Sequence, residues 1–302
     1  MTAVGVSKIR RLTRFSLTTA NARELAAFYE RAFGCRQIAK ERHVGTGFEN
    51  LLGVEGGAES ITLGLGDEII EILEFDRPGR SYPSGTLSSD LIFQHFAIVV
   101  TNIDQACQRL SAVAGWTAIS TAGPQRLPDR SGGVTAFKFR DPDGHPLELL
   151  AFPPGKGPAH WQAKRGRALC LGIDHSAISI SDSNRSITFY EKIGFEVDAR
   201  SHNHGPEQER LDGVLHPQVD VTALAVRQQT PHVELLCYGA AAHDDRILLR
   251  NNDIAATRLV FEASDSIEMD SNQFGQQMED PDGHHFLILP PIKKPSEIEA
   301  CP

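Results

Sequence analysis

The sequence predicts an α+β protein built from four repeats of a strand–helix–strand–strand–strand unit, the last one eroded. Two echoes and one periodicity predict it. Phe28-Tyr29-Glu30-Arg31 returns as Phe189-Tyr190-Glu191-Lys192, and Asp141-Pro142-Asp143-Gly144-His145 returns as Asp280-Pro281-Asp282-Gly283-His284. The offsets between the copies differ, so a shared grammar repeats with loops of variable length. Around each echo, apolar residues alternate with period two, switch to a helical spacing, then return to period two.

Each unit can be justified in order. Leu12 to Thr18 alternates like a strand, and Asn21 is placed to cap a helix, with Glu24 three residues on. Leu25, Phe28, Tyr29, Ala32 and Phe33 form one apolar helix face that ends near Gly34. Strands follow at Arg36 to His43, Ser60 to Leu65 and Glu68 to Phe75. The second unit opens with a strand from Phe93 to Val100 and Thr101 as its expected cap. A helix face of Ile103, Ala106, Cys107, Leu110 and Val113 comes next, then strands at Trp116 to Ser120, Val134 to Phe139 and Pro146 to Ala151. The third begins at Ile173, with Asp182 or Ser183 capping a helix through Ile187, Tyr190 and Ile193. Its strands are Phe195 to Arg200, Val221 to Val226 and Val233 to Tyr238. A fourth starts near Ala256, but Glu262 to Asn272 is short and polar, so its helix is expected to be missing or reduced to a turn.

Composition narrows the class. The 302 residues carry a net charge of −9, which argues against a nucleic-acid or anionic-lipid surface. Met1 to Leu17 has arginines but no apolar stretch of signal-peptide type, and nothing approaches a membrane span. Five scattered cysteines, without a C-x-x-C, argue against a disulfide framework or a cysteine zinc site and for a reducing cytoplasm. The Pro/Gly-rich stretch from Pro153 divides the chain. Residues 1–152 form an N-terminal half (units about 10–76 and 91–152) and 153–171 a linker. Residues 172–290 form a C-terminal half (units about 172–239 and 254–290), and 291–302 a tail.

With its strand–cap–helix ending in Phe-Tyr, the echo of it, and the two Asp-Pro-Asp-Gly-His turns, the chain resembles the vicinal oxygen chelate superfamily. That superfamily includes glyoxalase I, bleomycin-resistance proteins, epimerases and extradiol dioxygenases. The likeness runs from about Leu12 to Leu289. It implies units paired into cupped mixed sheets whose concave face holds a divalent metal, with ligands from the first and last strands of each unit. Carried over unit by unit, those positions are Arg14 and Glu71, His95 and Glu148, His175 and Glu234, and Thr257 and Leu287. If the inner units pair together and the outer units together, one cup receives His95, Glu148, His175 and Glu234. The other receives an arginine that cannot hold a metal and a leucine with no donor. An unswapped pairing of the first unit with the second would instead gather Glu71, His95 and Glu148.

Strand geometry supports the inner set independently. His95 shares a face with Phe93, Ala97 and Val99, while Phe96, Ile98 and Val100 make the opposite, continuously apolar one. Glu148 and Glu234 stand in Val/Leu strands, where a carboxylate is costly unless a cation or hydrogen bonds compensate it. Taken singly, each histidine reads as a hydrogen-bonded structural residue; four ligand-type residues at equivalent positions favour a metal. The Asp-Pro-Asp-Gly stretches read as type I turns and the Phe-Tyr pairs as core. His202 and His204 are expected in a solvated polar loop, and His284-His285 in the metal-free cup without a catalytic role. Arg14 is expected either to pair with Glu71 or to bind an anionic ligand.

The function implied by the resemblance is a metal-dependent lyase or isomerase of the glyoxalase I kind. It would act on a small oxygen-chelating substrate through an enediolate, with Glu148 first and Glu234 second as the base. The expected cofactor is one divalent ion among Zn, Ni, Co, Mn and Fe. The alternatives are a non-haem Fe(II) or Mn(II) dioxygenase, or a metal-free binding protein of the bleomycin-resistance type. The expected partner is a small-molecule substrate, with no nucleic acid and no membrane, for a monomer or homo-oligomer.

Overall fold

The computed structural model describes residues 9–226, 231–239, 247–264 and 275–291. Cys301, the tail beyond Pro291, and most of the 262–272 stretch where a fourth helix was sought lie outside the described residues. The first unit runs β1 (Ile9–Thr19), α1 (Ala22–Phe33), β2 (Arg36–His43), α2 (Thr46–Leu52), β3 (Ala58–Leu65) and β4 (Glu68–Phe75). The second runs β5 (Gln94–Val100), α3 (Ile103–Ser111), β6 (Thr117–Ala118), β7 (Gln125–Arg126), β8 (Thr135–Arg140) and β9 (Pro146–Ala151). After α4 (Ala159–Lys164) the third follows with β10 (Cys170–Ile180), α5 (Ser183–Ile193), β11 (Glu196–His204), α6 (Pro206–Asp212), β12 (Gln218–Ala225) and β13 (His232–Cys237). The fourth keeps β14 (Arg258–Ala263), β15 (Gln276–Glu279) and β16 (His285–Leu289). None of the described helices is long and apolar enough to cross a membrane.

Helix starts follow the local chemistry. Asn21 and Asp182 cap α1 and α5 by accepting the amide hydrogens of Glu24 and Arg185. In the second unit the cap is Asn102, not Thr101: Asn102 accepts the Gln105 amide, whereas Thr101 ends its strand by bonding the 168–169 backbone. Two short helices, α2 and α6, lie between the second and third strands of their units. Seven residues are too few to display a helical period in sequence. His202 and His204 belong to strand β11 and not to a loop; His202 is held by Asp220 and Gln218 across the strand pair. Its polar run misled because β11 is an edge strand with its side chains largely in solvent.

The strands form two sheets. One has the order β15-β16-β14-β1-β4-β3-β2 and joins the first unit to the fourth. The other has the order β11-β12-β13-β10-β5-β9-β8-β6 and joins the second to the third. Within each unit the first and last strands run parallel, as β1·β4 and β5·β9 do, and the two first strands meet antiparallel at the centre. The pairing of outer with outer and inner with inner is therefore the one present, and the unswapped alternative is overturned. We call the concave faces the outer cup and the inner cup.

The other faces of the sheets share one core with α1, α3 and α5, where Phe15 and Phe96 meet at 5.2 Å between ring centroids. The Asp-Pro-Asp-Gly turns lock this core. Each closes with a glycine amide bonding the first aspartate's carbonyl, and the carboxylates of Asp141 and Asp280 accept the buried hydroxyls of Tyr29 and Tyr190. The two sheets approach so closely at Gly172, where φ is 149°, that an added Cβ would meet the Glu68 carboxylate at 2.0 Å. That carboxylate accepts the Ile173 amide, and burial pushes its pKa up to about 7.

Candidate metal centre

The inner cup is built by register. Ala97 of β5 pairs with both His175 and Glu148, and Ala177 of β10 pairs with both His95 and Glu234. Small alanines at the centre thus leave four longer side chains converging from the neighbouring strands. A register shift in β10 between Ile173 and His175 helps, because a bulge re-aims the residues beside it.

The ligand-type atoms of His95, Glu148 and His175 all lie within 4.8 Å of one another. Nε2 of His95 is 3.0 Å from Oε2 of Glu148, and Nε2 of His175 is 3.6 Å from Oε2 of Glu234. Glu234 therefore stands at the edge of the three-residue group. Its side chain is 24% exposed against 8% for Glu148. His95 carries the most telling feature. It is buried, yet neither ring nitrogen has a hydrogen-bond partner, and Nε2 faces Glu148 outside hydrogen-bonding geometry. Buried imidazoles are seldom left this way, and a shared cation between the two groups would account for it. Two imidazoles and two carboxylates without a thiolate fit Zn, Ni, Co, Mn or Fe and do not choose among them.

The electrostatics ask for positive charge. Burial opposes protonation of His175, but Glu234 and Asp174 outweigh it and push its pKa up to about 9. Burial would raise Glu234, yet His175 and His232 hold it well below the usual carboxylate range. Glu148 is likewise lowered against burial, by His95 and Lys138. For His95 burial outweighs the opposing pull of Glu148 and lowers the pKa, which favours the neutral ring, the form in which imidazole binds a metal.

Several residues around the site escaped the sequence reading. Asp174 bonds Nδ1 of His175 at 3.1 Å while taking the Trp161 indole hydrogen at 2.5 Å, so it turns Nε2 of His175 toward the cup. His232 shares the Glu234 face, 3.5 Å from Oε1. Lys138, opposite Glu148 in the β8·β9 pair, donates to Asp212 at 2.7 Å and lies 4.0 Å from Glu148. A lysine between Phe137 and Phe139, and an aspartate inside the first strand, were the available signals. The cup is about 350 Å³, with α6 contributing Gln208 and Leu211 to its wall.

The outer cup uses the same register with other chemistry. Val260 of β14 pairs with both Arg14 and Leu287, as Ala97 pairs with His175 and Glu148. Two residues before Ala97 is His95; two before Val260 is Arg258, not Thr257. The sequence reading slipped by one because the fourth unit shows no helical pattern in its sequence from which to count. Arg14 pairs with Glu71 at 3.4 Å, the first of its two expected roles. His285 is buried, and burial followed by the nearby Arg258 pushes its pKa down to about 4, so it is neutral at pH 7. His284 bonds the Ser179 carbonyl and serves the join between the sheets.

The profile of the Glyoxalase/Bleomycin resistance protein/Dioxygenase superfamily matches residues 11–149. Residues 11–149 belong to that superfamily. The fold of the whole chain is of the glyoxalase type. A lactoylglutathione lyase of Schizosaccharomyces pombe is 28% identical over 130 residues, 43% of this chain and 38% of that protein. The match thus spans little more than a third of the yeast relative. Glyoxalase I from Zea mays superposes with a TM-score of 0.57 at 16% identity, covering 93% of this chain and 92% of the maize one. A Bacillus subtilis protein described as a putative dioxygenase gives 0.52 at 13% identity, over 97% and 89% of the two chains. At such identities these structures share the fold alone.

Proposed function

We propose that the chain is a metal-dependent lyase or isomerase of the glyoxalase I type, working in the inner cup on a small substrate with two adjacent oxygens. The observation that carries this reading is His95, buried without a hydrogen-bond partner and grouped with Glu148 and His175 within 4.8 Å. A bound divalent ion would supply Lewis-acid polarisation of a substrate oxygen and so acidify the neighbouring C–H. His95 and His175 would remain fixed, the latter oriented by Asp174. Glu148, inside the ligand group, is first in line to accept the proton, with Glu234 at the edge as the second carboxylate. With His95, Lys138 held by Asp212 would help to keep Glu148 ionised before substrate arrives.

Elemental analysis on wild type and on His95→Ala, Glu148→Ala, His175→Ala and Glu234→Ala tests the site. About one ion per chain is expected by this ligand arithmetic, lost in these variants and kept in Glu71→Ala. No metal in any folded sample after reconstitution overturns the reading. The name of the yeast relative makes lactoylglutathione the first product to assay. A second reading has an observation of its own: His95, His175 and Glu148 have the two-His, one-carboxylate composition of Fe(II) oxygenase sites. Oxygen uptake by the Fe(II)-reconstituted protein would favour it.

A further inference from the structure

The two cups present opposite charge at equivalent positions. In the inner cup the four convergent side chains are two neutral-capable imidazoles and two carboxylates, which a divalent cation would balance. At the equivalent outer positions stand Arg14, Glu71, Arg258 and Leu287, two fixed cations against one carboxylate; the first two and Leu287 line the cavity, whereas Arg258 is fully buried and does not line it. The surplus charge is that of Arg258. Its side chain is fully buried and bonds the carbonyls of Asn251 and Ala256 and the hydroxyls of Ser16 and Thr18. Among the described residues no carboxylate lies within ion-pair distance of it. Its Nε is buried without a partner, and so is Nε of Arg14. Burial lowers the Arg258 pKa to about 10, so the charge persists at neutral pH. Beside Arg14 and Glu71, the Arg and Asp/Glu side chains that line this cup are already matched: Arg11 with Glu262, Arg42 with Asp76, and Asp67 with Lys164.

The cup is also large and mostly apolar on one side. Its volume is about 830 Å³, more than twice that of the inner cup, and Phe48, Leu51, Leu52, Leu73 and Leu289 line it with Leu287 where the inner cup has a carboxylate. A cavity of this size with an apolar wall and a few convergent polar groups is the usual form of a small-molecule site. A metal ion has no place there, since Arg14 and Arg258 cannot ligate one.

We propose that the outer cup is a metal-free binding site for an amphiphilic organic anion. Its carboxylate is taken by Arg14 beside Glu71, in the field of Arg258, and its hydrocarbon body lies on the Phe48–Leu51–Leu73 wall. The guanidinium of Arg14 then holds the anion as a metal would hold substrate oxygens in the other cup, with the cation supplied by the chain itself.

The test is calorimetric titration of the full chain with decanoate and, as the uncharged match, decanol. One saturable decanoate site is expected, with decanol weaker. Arg14→Met should weaken decanoate about tenfold or more, the size of a lost charge-assisted hydrogen bond. Leu51→Trp, which fills the cup and leaves every charge in place, should abolish binding with the melting curve preserved. Glu234→Ala and prior treatment with a chelator should change nothing, since they act on the other cup. The proposal fails if decanoate shows no saturable binding or if decanol binds equally well. It also fails if binding survives Leu51→Trp, or if Glu234→Ala or the chelator removes it.

Discussion

The inner and outer cups share strand order, register and even the bulge in one first strand, between Ile173 and His175 in β10 and between Leu12 and Arg14 in β1. They differ in the side chains set on that frame. Where the inner cup has His95, unpartnered and converging on Glu148, the outer cup has Arg258, tied by four hydrogen bonds to backbone and hydroxyl groups. The contrast teaches that the sheet fixes positions and not chemistry. At one position a buried imidazole is left without a hydrogen-bond partner, and at its counterpart a guanidinium is tied to the surrounding backbone and hydroxyl groups.

The comparison can be broken by substitution, and the largest effect is expected at the ligand group itself. Glu148→Ala should abolish stoichiometric metal binding, while Leu287→Ala at the matching outer position should leave metal content unchanged; both are read by elemental analysis. Next comes stability. Arg258→Met leaves several buried carbonyl and hydroxyl acceptors unpaired and should cost about 3 kcal/mol in urea denaturation. The matching change His95→Met, made on chelator-treated protein, removes a ring with no hydrogen-bond partner and should cost less than about 1 kcal/mol. Equal costs would mean that His95 is a structural residue.

Glu68 sharpens the comparison at the seam between the sheets. Its pKa is raised from 4.5 to about 7, so the folded state holds a proton that the unfolded state releases. Its contribution to stability is present at low pH and is lost as pH rises through that window. Wild type should lose on the order of 2 kcal/mol relative to Glu68→Gln between pH 4.5 and 7. A pH-independent difference in melting would remove this role. Asp174→Asn keeps the fold and the ligands but weakens the orientation of His175. Metal affinity measured by competition with a chromophoric chelator should fall about tenfold or more.

Much of this was legible in the residues. Helix α1 was readable from its cap, its apolar stripe and Gly34, and β2, β4 and β9 fall where the alternation placed them. Glu148 in the inner cup and Leu287 in the outer one were reachable because the Asp-Pro-Asp-Gly turn fixes the count to each. Arg258 was missed where that count had no anchor. Lys138 and Asp174 were missed because their significance lies in partners from other elements, Asp212 and Trp161; His232 was missed although it stands only two residues from Glu234, on the same face of β13.

The sequence by itself determined the repeating unit and the faces of its strands, since period-two and helical spacings are local consequences of backbone geometry. It also determined which positions carry ligand-type side chains. Only the tertiary structure decided that the first unit pairs with the fourth and the second with the third. The edges of first strands β1, β5, β10 and β14 offer similar backbone hydrogen bonds, and the choice among them rests on packing between segments far apart in the chain. That choice gathers two histidines and a glutamate in one cup, and leaves two arginines with a single carboxylate in the other.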